Sequence, residues 1–455
     1  MIDTQTIAAI VFLIALAIFV FLKRKSLETK QIIPYFLYFS MYRTKIGLRF
    51  MDFFAERYKR LVIYIGYFGI FIGFLGMILI SYGLINNIYL LFTRPEATSG
   101  VGLVLPFKGK GIFYVPFLYW IISIFFILIV HEFSHGLVAR ANKIKVKSSG
   151  LVFFGTGFRV AGLATIAISY YFKISNHGSF RKFDFFNYSS PDFWLIVGFI
   201  LVLISFIKNF SLFGYIPIIP GAFVEPDENQ LKKKRRKEQL SVFAAGPLAN
   251  IAFAFLFIAI ASFILAPMAN AAFEPNGVKV TDYVKGKDKT MFPAEISGLK
   301  IGETIQKIDD KDVAYVENLS TTLRSKKPNE IVKIKTDKST YEIRLAKNPD
   351  NESLAYMGAY LEQSTKIKDN VKAKYGEFIP NSLIWVYGLV FWLYVLNFGI
   401  GLFNLVPIGP LDGGRMMQVA MHKIFDKEKG DRYWHYIGIF FLILIFINVA
   451  AGFVK

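Results

Sequence analysis

The chain has 455 residues, of which 54% are hydrophobic and 48 are phenylalanine, and several apolar runs reach the ~20 residues that a helix needs to cross a bilayer. This composition excludes an ordinary soluble domain and predicts a membrane protein. The absence of cysteine excludes disulfides and thiolate ligands, so a metal ion could be bound only by His, Asp or Glu. The formal net charge of +20 comes from lysines and arginines that cluster beside the apolar runs, where they orient spans and attract anionic lipid. The predicted partner is therefore the lipid bilayer and not nucleic acid.

The first two apolar runs cover residues 7–22 and 61–84, and the segment between them is rich in Lys and Arg. We interpret the first run as a retained anchor, because no small-residue cleavage site follows it and its flanking charges lie on the wrong side for a signal peptide. The basic segment is predicted to be cytoplasmic. By alternation, the third span, residues 115–138, runs from the outside to the inside.

Residues 150–172 and 193–207 are harder to interpret, since the first stretch is interrupted by glycines and the second is short. The basic stretches 143–147 and 232–237 flank them and are both predicted to be cytoplasmic, so an even number of crossings must separate them. Either both segments cross the membrane or both are re-entrant. We favour a hairpin of two crossings.

A further span at residues 241–267 is predicted to exit to the outside, and the sequence then changes character. Residues 272–350 are polar and lysine-rich, and the alternation of apolar and polar residues in IVKIKTDKSTYEIRL (331–345) predicts a β-hairpin that turns at residues 337–339. We therefore predict a small soluble domain between spans. A linker of mixed charge (351–381) then leads to spans at 383–406 and 434–453, which brings the expected total to about seven or eight transmembrane helices.

The segment HEFSH lies at the end of the third apolar run and places His131 and His135 four residues apart, on one face of a helix, as a metal ion requires of two imidazoles. In this motif the glutamate, here Glu132, does not bind the metal but accepts a proton from the metal's water, whose pKa zinc lowers to about 7. Ionisable groups inside spans cost several kcal/mol and so indicate function. The ordinary alternative is a polar helix end at the membrane interface, followed closely by Arg140 and Lys143.

A catalytic zinc site usually has three protein ligands, so a third must be found. The candidates are a buried carboxylate or one of the other histidines, His177, His422 and His435, which we expect to lie at the surface or interface, as histidine commonly does. The most unusual carboxylate is Asp412 in NLVPIGPLDGGR (404–415), where two prolines break the helix and glycines allow a tight turn. By alternation, this span ends on the same side as HEFSH. The ordinary alternative for Asp412 is a turn aspartate at a helix end.

These motifs resemble the site-2 protease family of intramembrane zinc metalloproteases. HEFSH fits the HExxH helix, FAAGPLANI with Gly246 and Asn250 is similar to the central GxxxN segment, and NLVPIGPLDGG fits the motif Asn-x-x-Pro-x(4)-Asp-Gly. IPIIPGAFVEPDE (216–228) also resembles the loop between the first two core helices. The alternative for Gly246 and Asn250 is close helix packing through small residues with one interhelical hydrogen bond.

The resemblance implies a ligand set and roles for the site residues. One Zn²⁺ per chain would be held by His131, His135 and Asp412, with Glu132 as the general base. Asn404 and Asn250 would contact the substrate backbone.

The family resemblance extends to the soluble domain, because FPAEISGLKIGETIQKIDDKDV (292–313) looks like a PDZ domain of the kind that bacterial members carry at this place. Such a domain can add a peptide strand to its sheet edge, and in the family it is thought to filter substrates by size. The alternative is a structural cap that binds nothing. The chain departs from the family pattern in two ways: the segment between HEFSH and residues 216–228 is longer, and two spans precede the core.

The fold class that follows is an α-helical polytopic membrane protein with a small α+β PDZ-like extracytoplasmic domain. Residues 1–110 form an N-terminal region of two spans, 111–271 the first part of the catalytic core, 272–350 the PDZ-like domain, and 351–455 the linker and the second part of the core. The protein is expected in the cell membrane, with its active site toward the cytoplasmic side.

The function that the resemblance implies is hydrolysis of peptide bonds within or beside transmembrane helices of membrane proteins, as in regulated intramembrane proteolysis. Two alternatives stay open. One is an HExxH membrane peptidase that cuts at the cytosolic surface and takes its third ligand from a downstream glutamate helix. The other is a non-enzymatic PDZ-bearing scaffold or transporter. Whether Asp412 is the third metal ligand distinguishes the family function from the first alternative. The number of zinc ions bound per chain distinguishes the family function from the second.

Overall fold

The computed structural model describes residues 4–454 except 34–36, 95–96, 107–108, 110, 176–190, 205–214, 285–289 and 350. His177 lies outside the described residues. The chain divides into two compact units: the first combines Met1–Ile258 with Leu389–Lys455, and the second is Ala259–Gly388. Each unit is described by itself below.

The helices and strands follow in chain order. Up to the second unit they are α1 (Thr4–Lys23), β1 (Leu27–Ile33), β2 (Leu37–Thr44), α2 (Leu48–Arg57), α3 (Lys59–Thr93), β3 (Leu103–Leu105), β4 (Ile112–Tyr114), α4 (Phe117–Ala141), β5 (Val146–Gly157), α5 (Phe158–Ser175), α6 (Pro191–Ile204), β6 (Tyr215–Pro226), α7 (Glu228–Lys232) and α8 (Arg236–Ile260). The next are α9 (Ala266–Ala272), β7 (Phe273–Tyr283), α10 (Pro293–Ile296), β8 (Thr304–Ile308), β9 (Lys311–Asp312), α11 (Val316–Arg324), β10 (Ile331–Thr336), β11 (Thr340–Arg344), β12 (Ala346–Lys347), β13 (Ala355–Tyr356), β14 (Ala359–Ile367) and α12 (Asp369–Tyr375). The last are α13 (Phe378–Phe403), α14 (Asp412–Ile424) and α15 (Lys427–Val454), and single turns at Arg24–Ser26 and Ala261–Leu265 are 3₁₀ and π helix respectively.

Six helices of the described chain are long and apolar enough to cross a membrane. They cover Ile7–Ser26, Lys59–Thr93, Phe117–Ala141, Arg236–Ala272, Phe378–Phe403 and Lys427–Phe453. Each overlaps one of the spans predicted from hydropathy at residues 7–22, 61–84, 115–138, 241–267, 383–406 and 434–453. A shorter apolar helix lies at Trp194–Leu203.

The predicted crossing at residues 150–172 is not one continuous helix, because β5 occupies residues 146–157 and α5 begins only at Phe158. The Leu, Val and Phe residues of the sequence LVFF in β5 favour an extended strand, and pairing on both sides satisfies their backbone groups. Helices α5 and α6 do pack as a pair. They approach closely at Gly162 and Gly198, where an added Cβ on Gly162 would lie 2.6 Å from the carbonyl oxygen of Gly198.

The first unit contains a four-stranded antiparallel sheet in the order β1-β2-β5-β6. Its edge strand β6 packs against α4, because Gly136 on α4 has no side chain to hold it away. A Cβ at Gly136 would meet Met51 Sδ at 2.7 Å and Val224 Cγ1 at 2.9 Å. The close approach brings the backbone of β6 beside the HEFSH turn of α4.

Helices α3, α4, α8 and α14 share one buried core, which includes Val138, Val242, Ala244, Leu405 and Met416. Small residues on α3 and α8 allow the close packing: a Cβ at Gly73 would meet Met416 Cε at 2.6 Å, and a Cβ at Gly69 would meet Leu248 Cδ2 at 3.0 Å. The core therefore sets the three motif-bearing segments, HEFSH on α4, GPLAN on α8 and LDGG at the start of α14, side by side.

The second unit is built on an antiparallel sheet in the order β11-β10-β8-β7-β14, with β9 paired to β8. The predicted hairpin is confirmed, since β10 and β11 pair from Ile331 opposite Arg344 to Lys335 opposite Thr340. Alternate residues of β10 are buried, as period-2 patterning requires. The sheet continues past residue 350 into the segment that was predicted to be a linker. There β14 pairs with β7 along its length and ends with Ile367 opposite Phe273.

Candidate metal centre and active site

The two histidines of HEFSH lie on the buried face of α4, one helical turn apart, with their Nε2 atoms 3.1 Å from each other. The other ring nitrogen of His135 donates to the carbonyl oxygen of Val242 on α8 at 2.6 Å. A histidine that donates from Nδ1 presents Nε2 as a lone pair, which is the form that binds a metal ion. Backbone from α8 thus orients one of the two imidazoles.

Asp412, the first residue of α14, brings a carboxylate to both histidines. Its Oδ2 lies 3.0 Å from Nε2 of His131 and 3.3 Å from Nε2 of His135. Without a metal ion, a proton on Nε2 would join each imidazole to this carboxylate. Burial then acts to raise the pKa of Asp412, but the charge of His135 and these hydrogen bonds outweigh it and hold that pKa well below its ordinary value. The position at a helix N-terminus also favours an anion.

The loop between α13 and α14 aims this carboxylate. The backbone N–H of Gly413 donates to the carbonyl oxygen of Asn404 at 2.8 Å, which folds the start of α14 back onto the end of α13. A Cβ at Gly413 would clash with the backbone of Leu405, and a Cβ at Gly414 would clash with the backbone of Ile408. The two glycines after Asp412 are therefore required by close backbone packing.

Gly246 on α8 faces the histidine pair directly. An added Cβ there would lie 2.6 Å from Nε2 of His131 and would also overlap Nε2 of His135. These are the atoms that would bind a metal ion. The glycine thus keeps open the space in front of the ligand atoms.

The three side chains fit a zinc ion. Their ligand atoms are separated by 3.0 to 3.3 Å, and a tetrahedral zinc with bonds of ~2.0–2.2 Å separates its ligands by about 3.3 Å. Two imidazoles and one carboxylate make a set of three, which leaves a fourth position for water or substrate, as in catalytic sites. Within the part of the chain that the structure describes, this is the group of His, Asp and Glu side chains close enough to share a metal.

A cavity of about 260 Å³ opens at the three ligands and is also lined by Glu132 and Asn404. The Glu132 carboxylate is not one of the three close ligand atoms. Its Oε2 instead accepts a hydrogen bond of 3.0 Å from the backbone N–H of Val224 on β6. The structure therefore brings together five of the six predicted site residues around one cavity, with Glu132 free of the ligand set.

Asn250, for which the resemblance implied a substrate contact, lies deeper than the other predicted site residues. Its side chain is 0% exposed and does not line the cavity. Its Nδ2 lies 3.1 Å from Nδ1 of His131, and its Oδ1 has no hydrogen-bond partner among the described residues. Rotation of the amide by half a turn would let that oxygen accept the Nδ1 proton of His131, which satisfies both groups. The position is thus behind a ligand histidine.

The other two histidines that the structure describes, His422 and His435, are not part of the ligand set. His422 Nε2 is 2.8 Å from Oδ1 of Asp431, and His435 Nδ1 donates to the carbonyl oxygen of the same residue at 2.6 Å. Sequence reasoning missed the two backbone groups that orient the site, the carbonyl of Val242 and the N–H of Val224, because backbone partners leave no sequence signal. It also gave no role to Arg415, which lines the cavity and pairs with Glu228 at 3.2 Å.

The fold and the site together define a class: a helical protein with several candidate membrane spans and a group of two histidines and one aspartate that could hold a metal ion, beside a glutamate. Residues 193–445 match the family model described as Peptidase family M50, which is more than half of the chain. The chain therefore belongs to Peptidase family M50, and this confirms the site-2 protease family that the three sequence motifs predicted. The matched range contains the GPLAN and LDGG segments and begins after the HEFSH helix.

Similar proteins come from archaea and bacteria. An uncharacterized protein of Methanocaldococcus jannaschii is 24% identical over 337 residues, which cover 73% of this chain and 64% of that protein. The zinc metalloprotease RasP of Geobacillus kaustophilus is 22% identical over 270 residues, which cover 50% of this chain and 61% of RasP. The chain thus matches somewhat less than two thirds of the length of either relative.

One solved structure is similar to a smaller part of the chain. It is the PDZ domain of the SdrC-like protein of Listeria monocytogenes, with 24% identity and a TM-score of 0.16, and the match covers 19% of this chain and 87% of that one.

Proposed function

We propose that the protein is a zinc metallopeptidase that cleaves other membrane proteins within or beside their transmembrane helices. The observation that carries the proposal is the convergence of His131, His135 and Asp412 on one point, with Glu132 on the wall of the same cavity. The similarity to a protein named zinc metalloprotease supports the choice of metal. We propose one zinc ion per chain, since the structure describes one such group of ligands.

Zinc, when bound, supplies a Lewis acid that activates water and a carbonyl group at neutral pH. Glu132 accepts the proton of the attacking water and later delivers it to the amide nitrogen as the C–N bond breaks, so that one water is consumed and an acid and an amine are released. The hydrogen bond from the Val224 N–H to the Glu132 carboxylate holds this carboxylate at the cavity wall. Asn404, which lines the cavity, is proposed to donate its side-chain N–H to a substrate carbonyl.

The substrate segment at this site must be unwound. In a helix each carbonyl accepts the N–H four residues ahead, so a helical segment hides the bond that the enzyme attacks. Helix-breaking residues near the cleaved bond therefore favour cleavage. The substrates proposed are transmembrane proteins, cut in the manner of regulated intramembrane proteolysis.

The excess of Lys and Arg in the segment between the first two spans and at residues 232–237 supports a multi-pass protein of the cell membrane with its metal centre toward the cytoplasm. The second unit would then be extracytoplasmic. We propose that it contains a PDZ-like domain, on the basis of the resemblance at residues 292–313 and of its antiparallel sheet with the short helices α10 and α11. We propose that this domain controls which substrates reach the active site.

The position of Asp412 bears on both alternatives. Its Oδ2 lies within 3.3 Å of both histidine Nε2 atoms, so a downstream glutamate is not needed as the third ligand, which favours this family's chemistry over that of a surface-cutting HExxH peptidase. The space that Gly246 leaves in front of the ligand atoms favours a metal centre over a scaffold without one, because a larger side chain would fill this space in ordinary helix packing.

The test is Glu132→Gln, compared with Glu56→Gln on an exposed face of α2. The amide that replaces the Glu132 carboxylate cannot accept the water's proton, so cleavage of a model transmembrane substrate should fall at least about 100-fold, the usual contribution of a general base, while the zinc content stays unchanged. Glu56→Gln should match the wild type in both. Near wild-type cleavage by Glu132→Gln would overturn the assignment of the base.

A further inference from the structure

A second, apolar cavity of about 370 Å³ lies directly beside the catalytic cavity. Two residues line both cavities: Glu132 on α4 and Val224 on β6. These are the residues joined by the hydrogen bond between the Val224 N–H and the Glu132 carboxylate. The apolar cavity therefore begins where the proposed general base stands.

The wall of the apolar cavity is formed by large hydrophobic side chains, which include Phe19, Phe125, Ile129, Phe133 and Phe223. Three hydroxyl-bearing residues line the cavity, namely Tyr42, Thr44 and Ser149. Thr44 donates to the carbonyl oxygen of Ser149 at 3.1 Å, and Ser149 donates to the carbonyl oxygen of Ile46 at 2.6 Å. The ring of Tyr42 packs edge-to-face on Phe19, with 5.6 Å between the ring centroids. No cationic side chain lines the cavity in the part of the chain that the structure describes. A charged group bound there would lose its hydration without a partner, so the chemistry selects an apolar ligand.

We propose that this cavity is a specificity pocket that receives a large aliphatic or aromatic side chain of the substrate, next to the bond that is cut. The inference rests on the proposed function. An unwound substrate lies extended at the metal centre, so its successive side chains point to opposite sides at intervals of about 3.3 Å. With the scissile carbonyl at Glu132, a flanking side chain enters the space that Glu132 and Val224 share. The cavity is large enough for a leucine or phenylalanine side chain.

Segments that precede the HEFSH helix build one side of this pocket. Phe19 comes from α1, Tyr42 and Thr44 from β2, and Met51 from α2. Residues outside the matched family range thus contribute to substrate choice, and the same catalytic ligands could serve different substrates through a different N-terminal wall.

The test changes the pocket and the substrate together. Ala222 on β6 is the alanine of the lining, and Ala222→Phe places a ring in the cavity. The bond cut in a model transmembrane substrate is first located by mass spectrometry, and each flanking residue is then replaced by Ala, Leu, Phe or Asp. At one of the flanking positions, the wild type should prefer Leu or Phe over Ala by about 10- to 100-fold in kcat/KM, the range that apolar pockets achieve, and should reject Asp.

In Ala222→Phe the preference for Leu over Ala at that position should disappear or reverse, while cleavage of the Ala substrate and zinc content are retained. The matched control is Ala451→Phe, an alanine to phenylalanine change in a separate cavity lined by Gly102 and Gly452, which should keep the wild-type preference. Ile129→Ala enlarges the pocket and should raise the ratio of Phe to Leu cleavage, which provides a second variant if Ala222→Phe does not fold.

The outcomes separate the two proposals. A wild-type protein that binds zinc and cuts none of the substrates contradicts the proposed function. A wild type that cuts all substrates while Ala222→Phe and Ile129→Ala keep its preferences overturns the pocket alone. The pocket is also overturned if zinc-loaded Ala222→Phe loses cleavage activity equally on all substrates. Such a result would show that the cavity binds something other than the flanking side chain, such as a lipid chain.

Discussion

Replacement of Gly246 by alanine places one methyl group in front of the ligand atoms and is the smallest change that should disable the metal centre. The new Cβ would lie 2.6 Å from Nε2 of His131 and would overlap that of His135. Non-bonded heavy atoms prefer separations of about 3.5–4.0 Å, so a displacement of roughly 1 Å is needed. Metal sites tolerate deviations of only about 0.2 Å in their bond lengths. Since α8 is itself packed closely against α3, it cannot retreat, and the histidines must move.

We expect Gly246→Ala to lower zinc affinity by at least about 100-fold, the upper end of the effect of losing an outer-sphere partner, because here the ligands themselves are displaced. Cleavage should fall in parallel. Competition with a chromophoric chelator measures the affinity, and thermal unfolding in the presence of chelator checks the fold.

Two glycines of α3 provide matched controls. A Cβ at Gly83 meets nothing within 4 Å, so Gly83→Ala should leave both zinc affinity and stability at or above wild-type values. A Cβ at Gly69 would lie 3.0 Å from Leu248 Cδ2, so Gly69→Ala should lower stability somewhat and leave zinc affinity alone. Zinc affinity of Gly246→Ala within about twofold of the wild type would refute the reasoning, because displaced ligands lose far more than that.

Three further predictions follow from the site and the topology. Asn250→Ala should weaken zinc binding by about 10- to 100-fold and Asn250→Asp should weaken it less, because the carboxylate can still accept the Nδ1 proton of His131; equal affinities in chelator competition would exclude this role. A label at Lys338 should react from outside the cell and one at Lys234 only after permeabilisation, and the opposite pattern would reverse the proposed orientation. Deletion of residues 273–367, whose ends are paired in the sheet, should leave cleavage of shortened substrates intact and admit substrates with bulky outer domains; loss of activity on the shortened substrates by zinc-loaded protein would show instead that the domain belongs to the catalytic unit.

The sequence was sufficient for features that rest on short-range spacing. A separation of four residues places His131 and His135 together on any helix, and long apolar runs locate the six helices that could cross the membrane. The hairpin at residues 331–345 followed from strict alternation. These patterns express the geometry of the helix and the strand, which does not depend on the rest of the fold.

Features that depend on distant partners were not predictable in the same way. Residues 150–172 were predicted to cross the membrane, and only the pairing of their first part with β2 and β6 makes that part a strand. Strand β14 looks like a linker until its partner β7 is known. The contact between Asn250 and His131 was not predicted, because a motif shows which residues recur together and not which of them touch.

The dependence of cleavage on zinc tests the central claim most directly. Protein stripped of metal by a chelator should cut no transmembrane substrate, and activity should return in proportion to added zinc until one ion per chain is bound. Asp412→Ala, which removes the carboxylate 3.0 Å from His131 Nε2, should bind zinc much more weakly and remain inactive at that stoichiometry. Full cleavage by metal-free protein, or wild-type zinc affinity in Asp412→Ala, would contradict a catalytic zinc held by these three residues.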